Sequence, residues 1–299
     1  MLLSDKRSGS TMIQNSLSKH PLINIVNYSP HTFNETHHWL KGSILLKKNN
    51  SIFHKNYWSK KKAKLELIDL LNGNIEDFKI PLTDKKLIFE GWEALCEKFS
   101  KPIFFEKTPH NLSNTEALSL LLEWIRQTKK NVKVIGLIRN PIAVQYSAYK
   151  LFRSLPDKRQ FSWLNQIKNL IAFENSLDDD QYLRIYYEKI VKFPDKYFEE
   201  ICNFLGIEYT DRISENISDI SLSKWKSDEN FFFNMDESVV KIATSVGYLK
   251  SDLKFGLNSR KLNFLKYLIW HLQTFLIKRK NYLYYNIYVP IKLLMKFKC

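Results

Sequence analysis

Residues 5–21, "DKRSGSTMIQNSLSKHP", decide the fold. Gly9 stands among hydroxyl-bearing and basic residues, directly before a helix-like run from about Thr11 to Lys19. Backbone amides at the start of a helix point toward an anion, the helix dipole favours negative charge there, and a glycine lets the backbone come close. The stretch predicts a phosphate-binding loop, although an ordinary N-capped helix after a basic turn fits these residues alone equally well.

Side chains of the same loop add further hydrogen-bond donors. The backbone amides of Ser8 to Thr11 are joined by the hydroxyls of Ser10 and Thr11, and the Arg7 guanidinium matches the geometry of a phosphoryl group. A Lys after the glycine, which Walker-A loops carry, is missing. The loop therefore differs from that of ATP-binding P-loop proteins.

Outward from this loop, short apolar runs alternate with amphipathic ones. Strands are predicted within residues 1–4, 22–28, 102–107, 132–138 and 181–188, and helices over 11–19, 114–128, from Pro141 onward and over 194–206. Residues 29–82 are polar and show one helical patch, at 63–71. Strands that alternate with helices favour an α/β fold, with helices on both faces of a parallel sheet.

A second basic turn lies within residues 137–152, "LIRNPIAVQYSAYKLF". Arg139 ends a predicted strand, and Ser147 follows about two helical turns into the next helix, so the two side chains can share one anion. Ligands of parallel α/β sheets bind at the carboxyl ends of the strands. We expect both basic turns to face one cleft; a salt-bridged Arg139 and a solvent-facing Ser147 are the alternative.

Together the two segments resemble the sulfotransferases that use 3′-phosphoadenylyl sulfate (PAPS). Residues 7–11 match the 5′-phosphosulfate loop of that family, [K/R]-S-G-[S/T]-T, and Arg139-Asn140-Pro141 with Ser147 match its 3′-phosphate element, R-[ND]-P-x5-S. Further similarities are His20-Pro21, "EKTP" at 106–109, which is similar to a strand end of glycan sulfotransferases, and residues 186–207 and 224–248. The resemblance covers roughly residues 1–250 and implies a P-loop-like three-layer α/β/α fold around a central parallel sheet, with a sulfotransferase domain over 1–258.

The resemblance also implies which residues hold PAPS. The expected nucleotide-binding set is Arg7, Ser8, Gly9, Ser10, Thr11, Arg139 and Ser147, with Lys224, Trp225 and Lys226 as further candidates. Trp225 either stacks on adenine or belongs to the core. Arg7 is expected to stabilise the charge of the leaving 5′-phosphate by electrostatics alone, because Arg does not give up a proton at neutral pH. Lys107 is expected to be a second cation near the sulfonate or the acceptor, with an ordinary surface lysine as the alternative.

Transfer to a hydroxyl also needs a general base. Tyrosyl-protein and heparan-type sulfotransferases carry a Glu shortly after the His-Pro, but this chain has Asn27, Tyr28 and Ser29 in that window. His31, Glu35 and His110 are the candidate bases, and a polar surface role is the alternative for each.

Cysteines and histidines give no sign of a metal site. The three cysteines, Cys96, Cys202 and Cys299, are far apart, which indicates neither zinc nor disulfides and fits a reducing, cytoplasmic compartment. The pair His37-His38 lacks a third ligand at helical spacing. The sequence therefore predicts no metal, as the resemblance also implies.

The C-terminal part of the chain is strongly basic. The protein carries a net charge of +15, and its last 47 residues hold ten Lys or Arg and no carboxylate. Residues 259–299 are predicted to be a basic, aromatic helical region that either packs on the body or lies on an anionic membrane, peripherally. No signal peptide, transmembrane helix or nucleic-acid module is predicted.

The sequence thus predicts a sulfotransferase that moves a sulfonate group from PAPS to a hydroxyl, with a carbohydrate or glycoconjugate as the favoured acceptor. A nucleoside or small-molecule kinase is one alternative; it requires G-x4-G-K-[ST] and Mg²⁺ ligands, which the sequence does not show. A glycan- or membrane-binding protein on a decayed sulfotransferase scaffold is the other, because the expected Glu is missing.

Overall fold

The central sheet is parallel throughout. A computed structural model describes residues 1–46, 59–228, 231–255 and eight residues between 272 and 283. Its strands are β1 (Leu2–Ser4), β2 (Ile23–Asn24), β3 (Ile103–Phe104), β4 (Val134–Ile138) and β5 (Tyr182–Tyr186). β1 pairs with β4 and β4 with β5, while β2 pairs with β3. A parallel bridge between Leu2 and Lys107 joins the two groups, so the spatial order is β2-β3-β1-β4-β5.

Helices connect the strands. They are α1 (Ser10–Leu17), α2 (His38–Leu46), α3 (Lys60–Asn72), α4 (Asp84–Phe99), α5 (Thr115–Gln127), α6 (Pro141–Phe152), α7 (Pro156–Glu174), α8 (Tyr187–Lys192), α9 (Pro194–Leu205), α10 (Ile220–Ser223) and α11 (Glu237–Ser245). Side-chain caps explain several of their starts: Ser59, Thr83 and Asn114 each accept a hydrogen bond from a backbone N–H of the first turn. Gly206, with a φ of 72°, ends α9.

The two faces of β4 belong to two separate apolar clusters. Val134 and Ile138 pack with residues of α2 to α7 and α11, whereas Ile135 and Leu137 pack with residues of α1, α8 and α9. Alternate residues of a strand point to opposite faces, so the sheet is covered by helices on both sides. This confirms the predicted three-layer α/β/α fold.

Two predicted strands are shorter than expected. The run 22–28 forms a strand only at Ile23–Asn24, because the backbone amides of Asn27 and Tyr28 bind the Asn74 side-chain oxygen, at 3.0 and 3.1 Å, instead of a neighbouring strand. The run 102–107 is a regular strand only at Ile103–Phe104. The polar residues 29–82 contribute α2 and α3, and the predicted helical patch at 63–71 lies within α3.

The predicted domain boundary at residue 258 and most of the C-terminal region lie outside the described residues. The eight residues described beyond 255 are helical and exposed. Within the described part of the chain, no helix combines the length and the apolar character needed to cross a bilayer.

Candidate active site

The loop between β1 and α1 has an unusual backbone. Gly9, the N-cap of α1, has a φ of 97°, and a Cβ at this position would lie 2.3 Å from the ring of Tyr187. Only glycine fits such a conformation and such a close approach. Arg7 also has a positive φ, 72°, a strained conformation of the kind that is concentrated at functional sites.

The two basic turns meet, although more than 130 residues separate them. Arg7 Nε donates a hydrogen bond to Ser147 Oγ at 3.0 Å, and Arg139 Nη1 donates to the backbone oxygen of Arg7 at 2.9 Å. The Arg139 guanidinium also lies 4.1 Å from the centre of the Tyr187 ring. The carboxyl ends of β1 and β4 thus hold one shared group of cations and hydroxyls, as the sequence predicts.

A cavity of about 610 Å³ opens at this group. Of the residues predicted to bind a nucleotide, it is lined by Arg7, Gly9, Ser10, Thr11, Arg139, Ser147 and Lys224. Its lining also includes Tyr146, Lys150, Tyr187 and Ser221, which sequence reasoning missed. Among the described residues, the lining holds four cations and no carboxylate, which suits an anionic ligand. The rings of Tyr146 and Tyr187 suit a ligand with a flat part.

A second group of polar residues lies on the other side of Thr11. Lys107, fully buried after β3, has its ammonium 2.9 Å from Glu35 Oε1 and 3.2 Å from Thr11 Oγ1. The lysine therefore connects the loop with the segment that contains Glu35. It is not a surface lysine.

Imidazole rings surround the other oxygen of Glu35. His37 Nε2 lies 3.0 Å and His110 Nδ1 3.6 Å from Glu35 Oε2. The His31 ring stacks on that of His37 at 4.2 Å, and His31 Nε2 lies 3.2 Å from Glu66 Oε2. The three candidate bases thus lie together with His37, which was not among the bases predicted from the sequence.

Comparison with known proteins assigns this arrangement to a family. The sequence matches the model of a sulfotransferase family over residues 1–211. The chain belongs to that family. No sequence among the curated proteins matches this sulfotransferase.

Solved structures support the same fold. The sulfotransferase domain of the olefin synthase from Synechococcus PCC 7002 superimposes with a TM-score of 0.58 at 20% identity, over 83% of this chain and 93% of that domain. The sulfotransferase domain from the curacin biosynthetic pathway gives a TM-score of 0.58 at 18% identity, over 83% of this chain and 96% of that domain. At these identities the likeness shows the fold.

Three residues predicted to contact the nucleotide do not line the cavity. Trp225 is 4% exposed and packs in an apolar cluster with Ile142 and Phe231. Of the two roles considered for this residue, the structure therefore shows the one in the core. The Lys226 ammonium lies over the Trp225 ring, 5.4 Å from its centre. Ser8 is 1% exposed and also lies outside the cavity lining.

One face of α7 braces both basic turns of this sulfotransferase. Arg159 Nη2 donates to both carboxylate oxygens of Asp5, at 2.9 and 3.0 Å, and to the Lys6 backbone oxygen at 3.0 Å. Four residues later on the same helix face, Trp163 Nε1 donates to the Arg139 backbone oxygen at 3.1 Å. A single helix therefore fixes the relative position of the two turns.

Replacing Arg159 with Met should lower the free energy of unfolding by about 3 kcal/mol or more, because it leaves a buried carboxylate without its partner. Burial already raises the pKa of Asp5, and the Arg159 charge and hydrogen bonds counter that rise. Urea unfolding at pH 7 measures the loss. The double variant Asp5→Asn/Arg159→Met should recover most of it; equal losses in the single and double variants would contradict the assignment.

The charge states of the Glu35 group follow from its neighbours. Burial alone would raise the pKa of Glu35, but the imidazoles of His110 and His37 that face the carboxylate and the charge of Lys107 hold that pKa well below its usual range. Burial lowers the pKa of both His37 and His110. These shifts favour an ionised Glu35 beside neutral imidazoles of His37 and His110.

The backbone that carries Glu35 is strained. Phe33, Asn34 and His37 have φ values of 61°, 52° and 51°. The segment is held nonetheless, since Glu106 Oε1 accepts a hydrogen bond from Thr36 Oγ1 at 2.8 Å. Strain that the surrounding structure imposes on such a segment is typical of a functional site.

Proposed function

We propose that this sulfotransferase moves a sulfonate group from PAPS to a hydroxyl of an acceptor and releases 3′,5′-ADP. The observation that carries the proposal is the contact between the two basic turns, in which Arg7 binds Ser147 and Arg139 binds the Arg7 backbone, at the mouth of one cationic cavity. A nucleotide with phosphates on both its 5′ and 3′ positions matches two anion-binding turns that share one cavity.

The 5′ end of the nucleotide would lie on the loop of residues 7–11. Its amides open α1, so they and the helix dipole favour negative charge there. As the S–O bond breaks, negative charge grows on the bridging oxygen of the 5′-phosphate. Arg7 supplies a fixed positive charge at this place, and Lys107, which reaches Thr11, supplies a second one on the sulfonate side.

The 3′-phosphate would lie between Arg139 and Ser147. Arg139 is aligned by its stacking on Tyr187 and by the bond from Trp163 to its backbone oxygen. Lys224, at the edge of the cavity, adds a further cation. The rings of Tyr146 and Tyr187, which line the same cavity, are the surfaces on which the adenine can pack in place of Trp225.

His110 is the proposed general base. Its Nδ1 faces Glu35 Oε2, so a proton on Nδ1 is directed at the carboxylate and Nε2 is left with a lone pair. Glu35 would hold that tautomer and stabilise the imidazolium that forms when the acceptor hydroxyl loses its proton. His37 is only 4% exposed, and His31 pairs with Glu66, so both are less suited to meet the acceptor.

A decayed scaffold was an alternative because the expected Glu is missing after His-Pro. Glu35 lies 2.9 Å from Lys107 in this structure, so a carboxylate is present at the site although its position in the sequence differs. We therefore favour an active enzyme.

A carbohydrate or glycoconjugate is the proposed acceptor class. The support is the resemblance of "EKTP" and of the His31 window to glycan sulfotransferases, together with the role of Glu106 from that motif, which fixes the segment that carries Glu35. Cytoplasmic location and contact of residues 259–299 with an anionic membrane stay predictions from the sequence.

The test is a calorimetric titration with 3′,5′-ADP, followed by transfer of ³⁵S from labelled PAPS to a panel of glycans. We expect 3′,5′-ADP to bind at least about tenfold more tightly than 5′-AMP, because charge-assisted hydrogen bonds to the 3′-phosphate are each worth about 1.5–3 kcal/mol. Binding of ATP with Mg²⁺ but not of 3′,5′-ADP would instead support a kinase. Tight 3′,5′-ADP binding without transfer to any acceptor would support the decayed scaffold.

A further inference from the structure

Glu35, His37 and His110 bring three possible metal-ligand atoms close together. Glu35 and His37 come from the strained segment before α2, and His110 from the 3₁₀ turn Pro109–Ser113 after β3. The three atoms, one from each residue, all lie within 4.8 Å of one another. The sequence predicts no metal because His37-His38 has no third ligand at helical spacing. In the structure, the other two ligands come from different parts of the chain: Glu35 from the same segment and His110 from the turn after β3.

His38, the other member of that pair, takes no part. Its Nε2 is bonded to the Ile88 backbone oxygen at 2.8 Å, and the side chain is fully buried. The two neighbouring histidines thus point to different surroundings, and only His37 faces Glu35.

Two of the three separations are close to those around a small divalent cation. Zn²⁺ binds imidazole nitrogen and carboxylate oxygen at about 2.0–2.2 Å, so tetrahedral ligand atoms lie about 3.3–3.6 Å apart. Glu35 Oε2 lies 3.0 Å from His37 Nε2 and 3.6 Å from His110 Nδ1. A shift of a few tenths of an ångström in either ring brings these separations to the values that the metal requires.

The donor set decides the kind of metal. Two imidazoles and one carboxylate suit zinc and the neighbouring transition metals, whereas Mg²⁺ and Ca²⁺ prefer oxygen ligands throughout. The Lys107 ammonium binds the other carboxylate oxygen, Oε1, and orients the carboxylate as an outer-shell partner does. Its positive charge also opposes a second cation, so the expected site is reversible rather than permanently filled.

We propose that Glu35, His37 and His110 bind Zn²⁺ and that the bound ion blocks sulfonate transfer. The ion and the acceptor's proton would compete for the same group. A ligand bond to His110 Nδ1 leaves the ring proton on Nε2, which then has no lone pair to take the acceptor's proton. A ligand bond to Glu35 removes the charge that supports the imidazolium. Binding is independent of the proposed function, and only the blocking of transfer rests on it.

Co²⁺ is the probe for the site, because tetrahedral Co²⁺ absorbs strongly in the visible region and octahedral Co²⁺ only weakly. The full chain, without a histidine tag and freed of metal with EDTA, is titrated with Co²⁺ and then with Zn²⁺. We expect an intense visible spectrum at one equivalent of Co²⁺, which Zn²⁺ removes. Glu35→Gln, His37→Ala and His110→Ala should each weaken Co²⁺ binding by at least about 100-fold, the upper end of the loss that even an outer-shell change causes.

The control is His31→Ala, which removes a ring that stacks on His37 but is not a proposed ligand. It should keep the Co²⁺ spectrum, and unchanged 3′,5′-ADP affinity or thermal unfolding will show that each variant is folded. A weak, octahedral spectrum, or one that the three ligand variants leave unchanged, overturns the site. Loss of the spectrum in His31→Ala overturns the proposed ligand set.

Activity separates the two parts of the proposal. Zn²⁺ should inhibit ³⁵S transfer by the wild type, and EDTA should restore it. Full transfer by the zinc-saturated enzyme overturns the blocking role and leaves the site in place. If PAPS supports no transfer at all, the proposed function fails, while the Co²⁺ spectrum still decides whether the site exists.

Discussion

The Arg7→Ala variant is expected to lose about 10²–10³-fold in kcat for sulfonate transfer, the loss typical of removing one fixed group that stabilises transition-state charge. In the structure Arg7 holds Ser147 through its Nε, while its backbone oxygen receives Arg139. Alanine keeps the backbone contact with Arg139, so the loop stays in place, and the proposed 3′-phosphate site loses only the bond from Arg7 to Ser147. The lost contribution is the guanidinium charge at the leaving 5′-phosphate, where charge grows during the reaction.

Single-turnover rates from labelled PAPS measure this effect, and calorimetry with 3′,5′-ADP separates it from binding. The affinity should fall much less than kcat. Arg7→Lys is the matched control: it keeps the charge but loses the fork of donors, and it should recover much of the rate. Full transferase activity in Arg7→Ala would contradict the proposal that Arg7 stabilises the leaving 5′-phosphate.

Replacing His110 with Ala should lower kcat by about 10²–10⁴-fold, the contribution of a positioned general base. The reason is the direction of its ring. With Nδ1 turned to Glu35 at 3.6 Å, Nε2 is the atom left to take the acceptor's proton. The 3.6 Å separation exceeds a hydrogen bond, but catalytic contacts are often long before the substrate binds.

Glu35→Gln and His31→Ala complete the comparison. Glu35→Gln keeps the shape of the side chain but removes the charge that stabilises the imidazolium, so it should lower kcat by at least about tenfold with little change in 3′,5′-ADP affinity. His31→Ala should change kcat by less than about tenfold, because His31 meets Glu66 rather than Glu35. A larger loss of kcat in His31→Ala than in His110→Ala would indicate that His31, and not His110, is the general base.

The two basic turns that we propose bind phosphate could be predicted because each is continuous in the sequence. Arg7 and Gly9 lie in one loop, and Arg139 and Ser147 lie on one strand end and helix, so local spacing alone specifies how they can meet an anion. Because the carboxyl ends of parallel strands lie at the same edge of a sheet, the predicted sheet already places the two turns side by side.

The remaining parts of the site depend on tertiary contacts that spacing does not reveal. The brace by Arg159 and Trp163 requires that α7 lies across the carboxyl ends of β1 and β4. The role of His37 depends on a positive φ that turns it toward Glu35. One missed residue did carry a signal: Tyr187 lies near the carboxyl end of the strand predicted over 181–188, and in the structure it directly follows β5 as Arg139 directly follows β4.

The position of β1 has a consequence for the synthesis of this protein. The first strand lies between β3 and β4, whose nearest residues are about a hundred or more positions later in the chain. A growing chain that has not yet reached residue 138 has no partner for one edge of β1, and its phosphate loop has no Arg139 to bind its backbone. Such long-range pairing is slow to form. If the proposed function holds, the nucleotide is a ligand that only a chain extending beyond Ser147 can take up, so its binding follows the pairing of β1 with β4 rather than guiding it.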